Sequence, residues 1–259
     1  MNVKFSIITI SYNSDKTVNR TIHSVLNQTY QNYEYIIVDG NSKDGTVGII
    51  KESEPLFDGK MRWISEPDNG IYNAMNKGIK MASGDIIGIV NSDDWLEPDA
   101  LEIVNNSFTA NNGDTNILYC GAINYHCRSG NVKRWDVKLK SFRRQAPLYI
   151  MAGIRHPAVF VPRNVYDTIG LFNERMRLSA DQDFILRCYY GGVGFVDVKA
   201  VLSNMSEGGV STDNSQQSMK KSEEDRRIML SEFGKHGLSY SWLWYSWKIR
   251  CFVRGLIYN

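Results

Sequence analysis

DIIGIVNSDDWLEPDAL, residues 85–101, runs from an apolar segment straight into two adjacent carboxylates, Asp93 and Asp94. The apolar part does not alternate, the pattern of a strand covered on both faces in a parallel sheet. Ending such a strand on paired negative charge costs free energy through repulsion and desolvation unless something positive settles there. Beyond the carboxylates, Leu101, Val104 and Phe108 fall on one helical face, and Pro98 is suited to the first turn of that helix.

Upstream, the same plan recurs. KFSIITIS (4–11) predicts a first strand, with Asn13, Ser14 and Asp15 as turn and cap candidates and Val18, Ile22, Val25 and Leu26 on one helical face. YEYIIVD (33–39) predicts a second strand, GNSKDGT a polar loop, and 46–53 a second helix. KMRWIS supplies a third strand before a Pro-Asp-Asn-Gly turn that contains Asp68. Ile71, Met75, Ile79 and Ala82 then predict a helix, with Gly84 where a C-terminal cap glycine would sit. Strands alternating with helices at this spacing argue for an α/β open, mostly parallel sheet, in which ligands bind beyond the carboxyl ends of the strands. SYNS, DGNS, EPDNG and NSDD all fall at those ends.

The second half differs. Residues 117–137 predict a hairpin around Ser129-Gly130-Asn131, 158–162 a strand and 194–201 another. SEGGVSTDNSQQS (206–218) predicts a loop, and Ser222 with Asp225 has the spacing of a capping box opening a helix. Three segments follow: 1–115 as an α/β half, 116–212 as a mixed second half of the same domain, and 213–259 as a helical extension.

Composition narrows the function. Of 259 residues, 30 are Lys or Arg and 28 Asp or Glu, a net charge of +2, so no global field recruits nucleic acid. Cys120, Cys127, Cys188 and Cys251 show neither zinc-ligand spacing nor a disulfide framework, which favours a reduced, cytoplasmic setting. No run is long and apolar enough to span a bilayer. In the tail, 239–259, Trp242, Tyr245, Ile249, Phe252, Val253 and Leu256 follow helical spacing, with Arg250 and Arg254 elsewhere on the helix. That stripe suits either peripheral contact with a membrane surface or packing against the domain or a second subunit in a homodimer.

Candidate chemistry centres on oxygen ligands. Adjacent carboxylates on a loop suit a hard divalent ion, Mg²⁺ or Mn²⁺, that bridges to a diphosphate, or else cap the following helix. Asp39, ending a strand, either accepts hydrogen bonds from a base or ribose or caps its own turn. The G-x-G-x-x-G and G-x-x-x-x-G-K-[ST] phosphate motifs are absent. Asp181 and Asp183, at a predicted helix start, allow one carboxylate to face a cleft while the other binds Arg187 four residues on. His156 serves either a ligand or the core.

Taken in order, SIITISYNS, IIVDGNSKDGT, EPDNGIYNAMNKGIKMASGD, IVNSDDWLEPDAL, RHPAVFVPRNVYDTIGLFNE and SADQDFILR resemble the inverting, nucleotide-sugar-dependent glycosyltransferases of family 2, which have the GT-A fold. The resemblance implies that Thr9, Tyr12 and Asp39, with Asp68 and Asp93, surround the nucleotide, and that Asp94, aided by Asp93, holds a divalent metal. Asn91 stands where the family's first motif Asp is common, and Ala180 where a Glu often precedes the catalytic aspartate, here Asp181. Gly208 and Gly209 match the family's loop near the donor, and His156 faces the acceptor or diphosphate. The implied reaction moves a sugar from a nucleoside-diphosphate donor to a glycan or lipid-linked acceptor in cell-surface polysaccharide biosynthesis. A sugar-phosphate nucleotidyltransferase and a noncatalytic nucleotide-sugar binder are the rival readings.

Overall fold

The computed structural model describes residues 2–150, 153–208, 216–235 and 237–258. Four parallel strands come first in the chain: β1 (Phe5–Ser11), β2 (Tyr33–Asp39), β3 (Met61–Ser65) and β4 (Ile86–Ile89), lying in the order β3-β2-β1-β4. Between them run α1 (Val18–Leu26), α2 (Thr46–Ser53) and α3 (Ile71–Met81). Every residue of β1, β2 and β4 is buried, as expected of strands covered on both faces.

The second half extends the same sheet. Short β5 (Trp95–Leu96) leads into α4 (Ala100–Ala110) and the hairpin β6 (Ile117–His126) and β7 (Val132–Trp135). After α5 (Leu139–Gln145), β8 (Val159–Pro162) inserts antiparallel between β4 and β6. Then α6 (Arg163–Ile169) and α7 (Ala180–Tyr190) precede β9 (Gly194–Ser206), which runs parallel to β6 and antiparallel to β5. The result is one nine-stranded open sheet, with α8 (Gln216–Glu232) and α9 (Gly237–Tyr258) closing the chain.

Two hydrophobic layers flank the sheet. On one side Phe5, Ile7, Tyr35 and Ile37 pack against Val18 and Ile22 of α1 and Leu101 and Val104 of α4. On the other, Ile8, Ile36 and Ile87 pack with Tyr72 and Met75 of α3, Phe184 of α7, and Met229 and Leu243 of the two last helices. Inside the sheet, Glu34 is 6 % exposed. Burial alone would raise its pKa. Bonds from the Ser6 hydroxyl, the Ser83 amide and hydroxyl, and Arg62 instead hold it down at about 2.

Three local expectations are corrected. Gly84 does not cap α3, which ends at Ala82 with an extended backbone. Its role is close approach, because a Cβ there would lie 2.6 Å from the carbonyl carbon of Phe5. Pro98 lies ahead of α4, whose N-cap is Asp99, and its carbonyl accepts the Thr29 amide at 2.9 Å. Ser222 and Asp225 do not open a helix; both lie inside α8.

Candidate active site

The polar ends of β1 to β4 meet along one rim, built outward from the acidic turn. Asp94 is 1 % exposed; its Oδ1 accepts the Ser206 amide at 3.0 Å, and its Oδ2 the Asn91 side-chain amide at 3.3 Å. Burial, then the adjacent charge of Asp93, pushes its pKa up to about 7. Asp93 is partly exposed, and burial raises its pKa too, against the pull of Arg20. The positive group that this strand end requires is thus Arg20, from the polar face of α1. Its guanidinium stacks 3.6 Å from the Trp95 ring centre and donates to the Asp93 carbonyl at 2.7 Å and to Ser206 Oγ at 2.9 Å. It therefore offsets charge from beside the carboxylates while bonding to the backbone.

Donor groups around Asp39 form the next part of the rim. Asp39 is fully buried and accepts the hydroxyls of Ser11 at 3.1 Å and Ser65 at 2.7 Å, with the amide of Ser42 at 2.9 Å. Beside it, Tyr12 is 63 % exposed. A Cβ on Gly40 would lie 2.6 Å from the Asp68 carboxylate and 3.3 Å from the Tyr12 ring, so these two side chains close over a glycine. Ser14 ties this patch to the acidic turn, its hydroxyl lying 2.8 Å from that of Ser92 and donating to the Tyr12 carbonyl. Thr9 stands apart. It is fully buried on the same face of β1 as Ser11 but one pleat further into the sheet, where its hydroxyl accepts that of Tyr35 at 2.9 Å.

At the other end of the rim, Asp68 accepts the Gly70 amide, and Gly70 opens α3. Tyr72, in the first turn of that helix, donates its hydroxyl to Asp181 at 3.2 Å. Asp181 lies in the first turn of α7. Asp183, two residues on, turns inward and pairs with Arg187 at 2.8 Å, whereas Asp181 bonds to Tyr72 of α3. His156 packs edge-on against Phe172, with ring centres 5.7 Å apart. Burial lowers its pKa, against the charge of Asp181, and leaves the imidazole neutral.

After Ser206 the chain turns through Glu207 and Gly208. The Glu207 carboxylate accepts the Arg128 amide at 2.7 Å, and Gly208 adopts φ +119, with Arg128 2.8 Å from where a Cβ would be. Only glycine suits that backbone. Gly209 lies outside the described residues, as do the side chains of Arg250, Phe252, Val253, Arg254 and Leu256. Sequence reasoning missed Arg20, Ser206, Tyr72 and Ser11. Their partners are strand-end carbonyls and carboxylates, and no local spacing marks them.

The divalent ion implied by the fold finds a fitting donor set. Among the described residues no group of three or more His, Cys, Asp or Glu converges, so a protein-only cage is absent. What converges is two carboxylates raised in pKa and the buried side-chain oxygen of Asn91, which has no hydrogen-bond partner. Hard oxygen donors that few in number suit an ion that completes its coordination with phosphate oxygens and water.

The Glycosyl transferase family 2 profile matches residues 6–170. This chain belongs to that family. A PGL/p-HBAD biosynthesis glycosyltransferase of Mycobacterium tuberculosis is 32 % identical over 186 residues, covering 71 % of this chain and 69 % of the relative. Staphylococcus aureus TarS 1-349, solved with UDP-GlcNAc, superposes with a TM-score of 0.68 at 19 % identity over 93 % of this chain and 69 % of its own. The mannosyltransferase PcManGT of Pyrobaculum calidifontis, solved with GDP-Man and Mn²⁺, gives 0.64 at 15 % identity over 92 % and 66 %. The two structural likenesses establish the GT-A fold. The family match makes the protein a transferase and sets aside the nucleotidyltransferase and noncatalytic readings.

The acidic turn generates a titration. In metal-free protein followed by carboxyl ¹³C NMR, Asp94 is expected to take up a proton near pH 7. Asp93→Asn moves that midpoint down, because it removes a like charge; an unmoved midpoint would show that the two carboxylates do not interact.

Proposed function

We propose that this enzyme transfers a sugar, with inversion, from a nucleoside-diphosphate donor to a hydroxyl of a glycan or lipid-linked acceptor, in cell-surface polysaccharide biosynthesis. The observation that carries the reading is the continuity of the rim. Hydrogen bonds and contacts run from the Asp93–Asp94 turn through Ser14, Tyr12 and Asp68 to Tyr72 and Asp181. One bound molecule lying along it has its base at Tyr12 and Asp39 and its diphosphate at the acidic turn, with its sugar directed toward Asp181. The UDP-GlcNAc and GDP-Man in the two structural neighbours support a donor of this class.

Asp94 and Asp93, with Asn91 beside them, hold a divalent ion, Mn²⁺ or Mg²⁺. Bound there, such an ion supplies Lewis-acid charge to the departing diphosphate. The remaining work belongs to the chain. Asp39, fully buried with serine hydroxyls around it, orients the base or ribose by exchanging one of those hydroxyls for a ligand donor. Asp181 accepts the proton of the acceptor hydroxyl as that oxygen bonds to the anomeric carbon and the bond from that carbon to the diphosphate oxygen breaks. One displacement inverts the configuration. Tyr72 holds the receiving carboxylate by its hydroxyl, and neutral His156 lines the acceptor side without adding charge.

Peripheral membrane contact through the tail fits a lipid-linked acceptor. No helix among the described residues is long and apolar enough to cross a bilayer. On α9, however, Leu238, Trp242, Tyr245 and Ile249 are all at least 60 % exposed along one stripe, whereas Leu243 and Trp244 are buried. The same stripe serves a homodimer if the membrane does not take it. Vesicles containing anionic lipid are expected to sediment the full chain and not Trp242→Ser/Tyr245→Ser. Equal sedimentation of both, or of neither, contradicts the membrane contact.

Asp181→Asn is expected to keep donor affinity within about twofold and to lower kcat by about 10²-fold to 10⁴-fold, measured by calorimetry and by product formation. Turnover at the wild-type rate overturns Asp181 as the base.

A further inference from the structure

Asp225 is buried in the middle of α8 at 1 % exposure, yet among the described residues its carboxylate bonds to nothing on its own helix. Its oxygens accept three successive backbone amides from another part of the chain: Arg177 at 2.8 Å, Leu178 at 2.6 Å and Ser179 at 2.8 Å. These amides lead into α7, and Asp181 follows two residues after the last of them. The N-cap of α7, Ser179, makes no side-chain capping bond of its own. A carboxylate borrowed from α8 therefore does what a local cap would do: it satisfies donors at the helix entrance and adds negative charge where the helix dipole favours it.

The clamped segment also reaches the donor side. Arg177, whose amide Asp225 holds, donates its guanidinium to the Asn69 carbonyl at 2.8 Å, in the turn between Asp68 and α3. Asp181 is thus held from two directions: its side chain by the Tyr72 hydroxyl and its backbone by the segment that Asp225 fixes. Burying a carboxylate is costly unless its lone pairs are filled. Three amides fill them, and burial, the largest influence, still leaves the Asp225 pKa raised. The sequence tolerates that cost at a position outside residues 6–170 matched by the family profile.

We propose that Asp225 is a positioning residue for Asp181, by which the C-terminal helical extension sets the alignment of the base. The inference rests on Asp181 being that base. Without Asp225, the three amides lose their acceptor and the entrance of α7 loosens, while the donor site around Asp39 and Asp94 keeps all of its contacts. Misplacing a reacting group by about 1 Å costs on the order of 10²-fold in rate.

The test uses the full chain with Asp225→Ala and Asp225→Asn, the second keeping the side-chain volume and one acceptor oxygen where alanine does not fold. Two readouts are taken: steady-state kinetics with donor and acceptor, and hydrogen exchange of the 177–179 amides. The expected result is a kcat lowered by about tenfold to 10²-fold, a donor KM within about twofold of wild type, and faster exchange at 177–179. Faster exchange with kcat unchanged overturns the proposal, as does a loss confined to donor KM. Asp181→Asn run alongside separates the two claims. If it is inactive while Asp225→Ala turns over normally, only the positioning role falls; if it turns over normally, the base assignment falls first.

Discussion

The site depends on one short tether, the amide of Ser206 donating to the Asp94 carboxylate across from the end of β9. Two adjacent aspartates at the end of a buried strand repel each other and lose hydration, and within their own turn the Asn91 side-chain amide offsets that only in part. The compensation comes from two distant elements. β9 supplies the Ser206 amide to the side chain and the Ser206 hydroxyl to the Asp93 carbonyl, and α1 supplies Arg20. The Arg20 bonds go to a carbonyl and a hydroxyl, so neither carboxylate is consumed in an ion pair with it. Asp94, its pKa pushed up to about 7, is a group whose charge is incompletely offset in the free chain, and that residual demand is what a divalent ion would satisfy under the proposed function.

The same logic governs the other end of the rim. Asp181 is aligned by partners from α3 and from the segment preceding α7, and that segment is itself fixed by α8. Both centres therefore rely on amide–carboxylate bonds between parts of the chain distant in sequence, the Ser206 amide to Asp94 and the 177–179 amides to Asp225. β9 and α8, in the second half and its extension, supply one side of those bonds, while Arg20 of α1 and Tyr72 of α3 come from the first half. The antiparallel pairing of β4 with β8 joins the two halves into one sheet, so the supports share a rigid frame with the groups they hold.

Much of the fold was legible because its strands are covered on both faces and its helices carry apolar stripes. The lengths of β1 to β4 and the site at their carboxyl ends follow from that pattern alone. What the pattern hides is facing. In β1 both faces are apolar, so the pattern does not say which face the rim uses: Ile8 and Ile10 share one side and Thr9 and Ser11 the other, where Thr9 bonds to Tyr35 inside the sheet and Ser11, at the strand end, reaches Asp39. Asp225 was obscured differently. Its spacing from Ser222 reads as a capping box, whereas it lies inside α8 and its partners are amides of another segment, which every residue but proline carries. Gly84 shows the same limit, since its need for a missing side chain comes from β1 and not from its neighbours in sequence.

The central claim is that the Asp93–Asp94 turn, held by Ser206 and flanked by Arg20, is the seat of a divalent ion bridging to a nucleoside diphosphate. Anomalous diffraction at the manganese edge, from crystals grown with Mn²⁺ and a nucleoside diphosphate, tests it most directly. The account predicts one strong peak within bonding distance of a carboxylate oxygen of Asp94 or Asp93 and of the diphosphate oxygens. A nucleoside diphosphate bound along the rim with no manganese peak at that turn, or with the peak elsewhere, would contradict it.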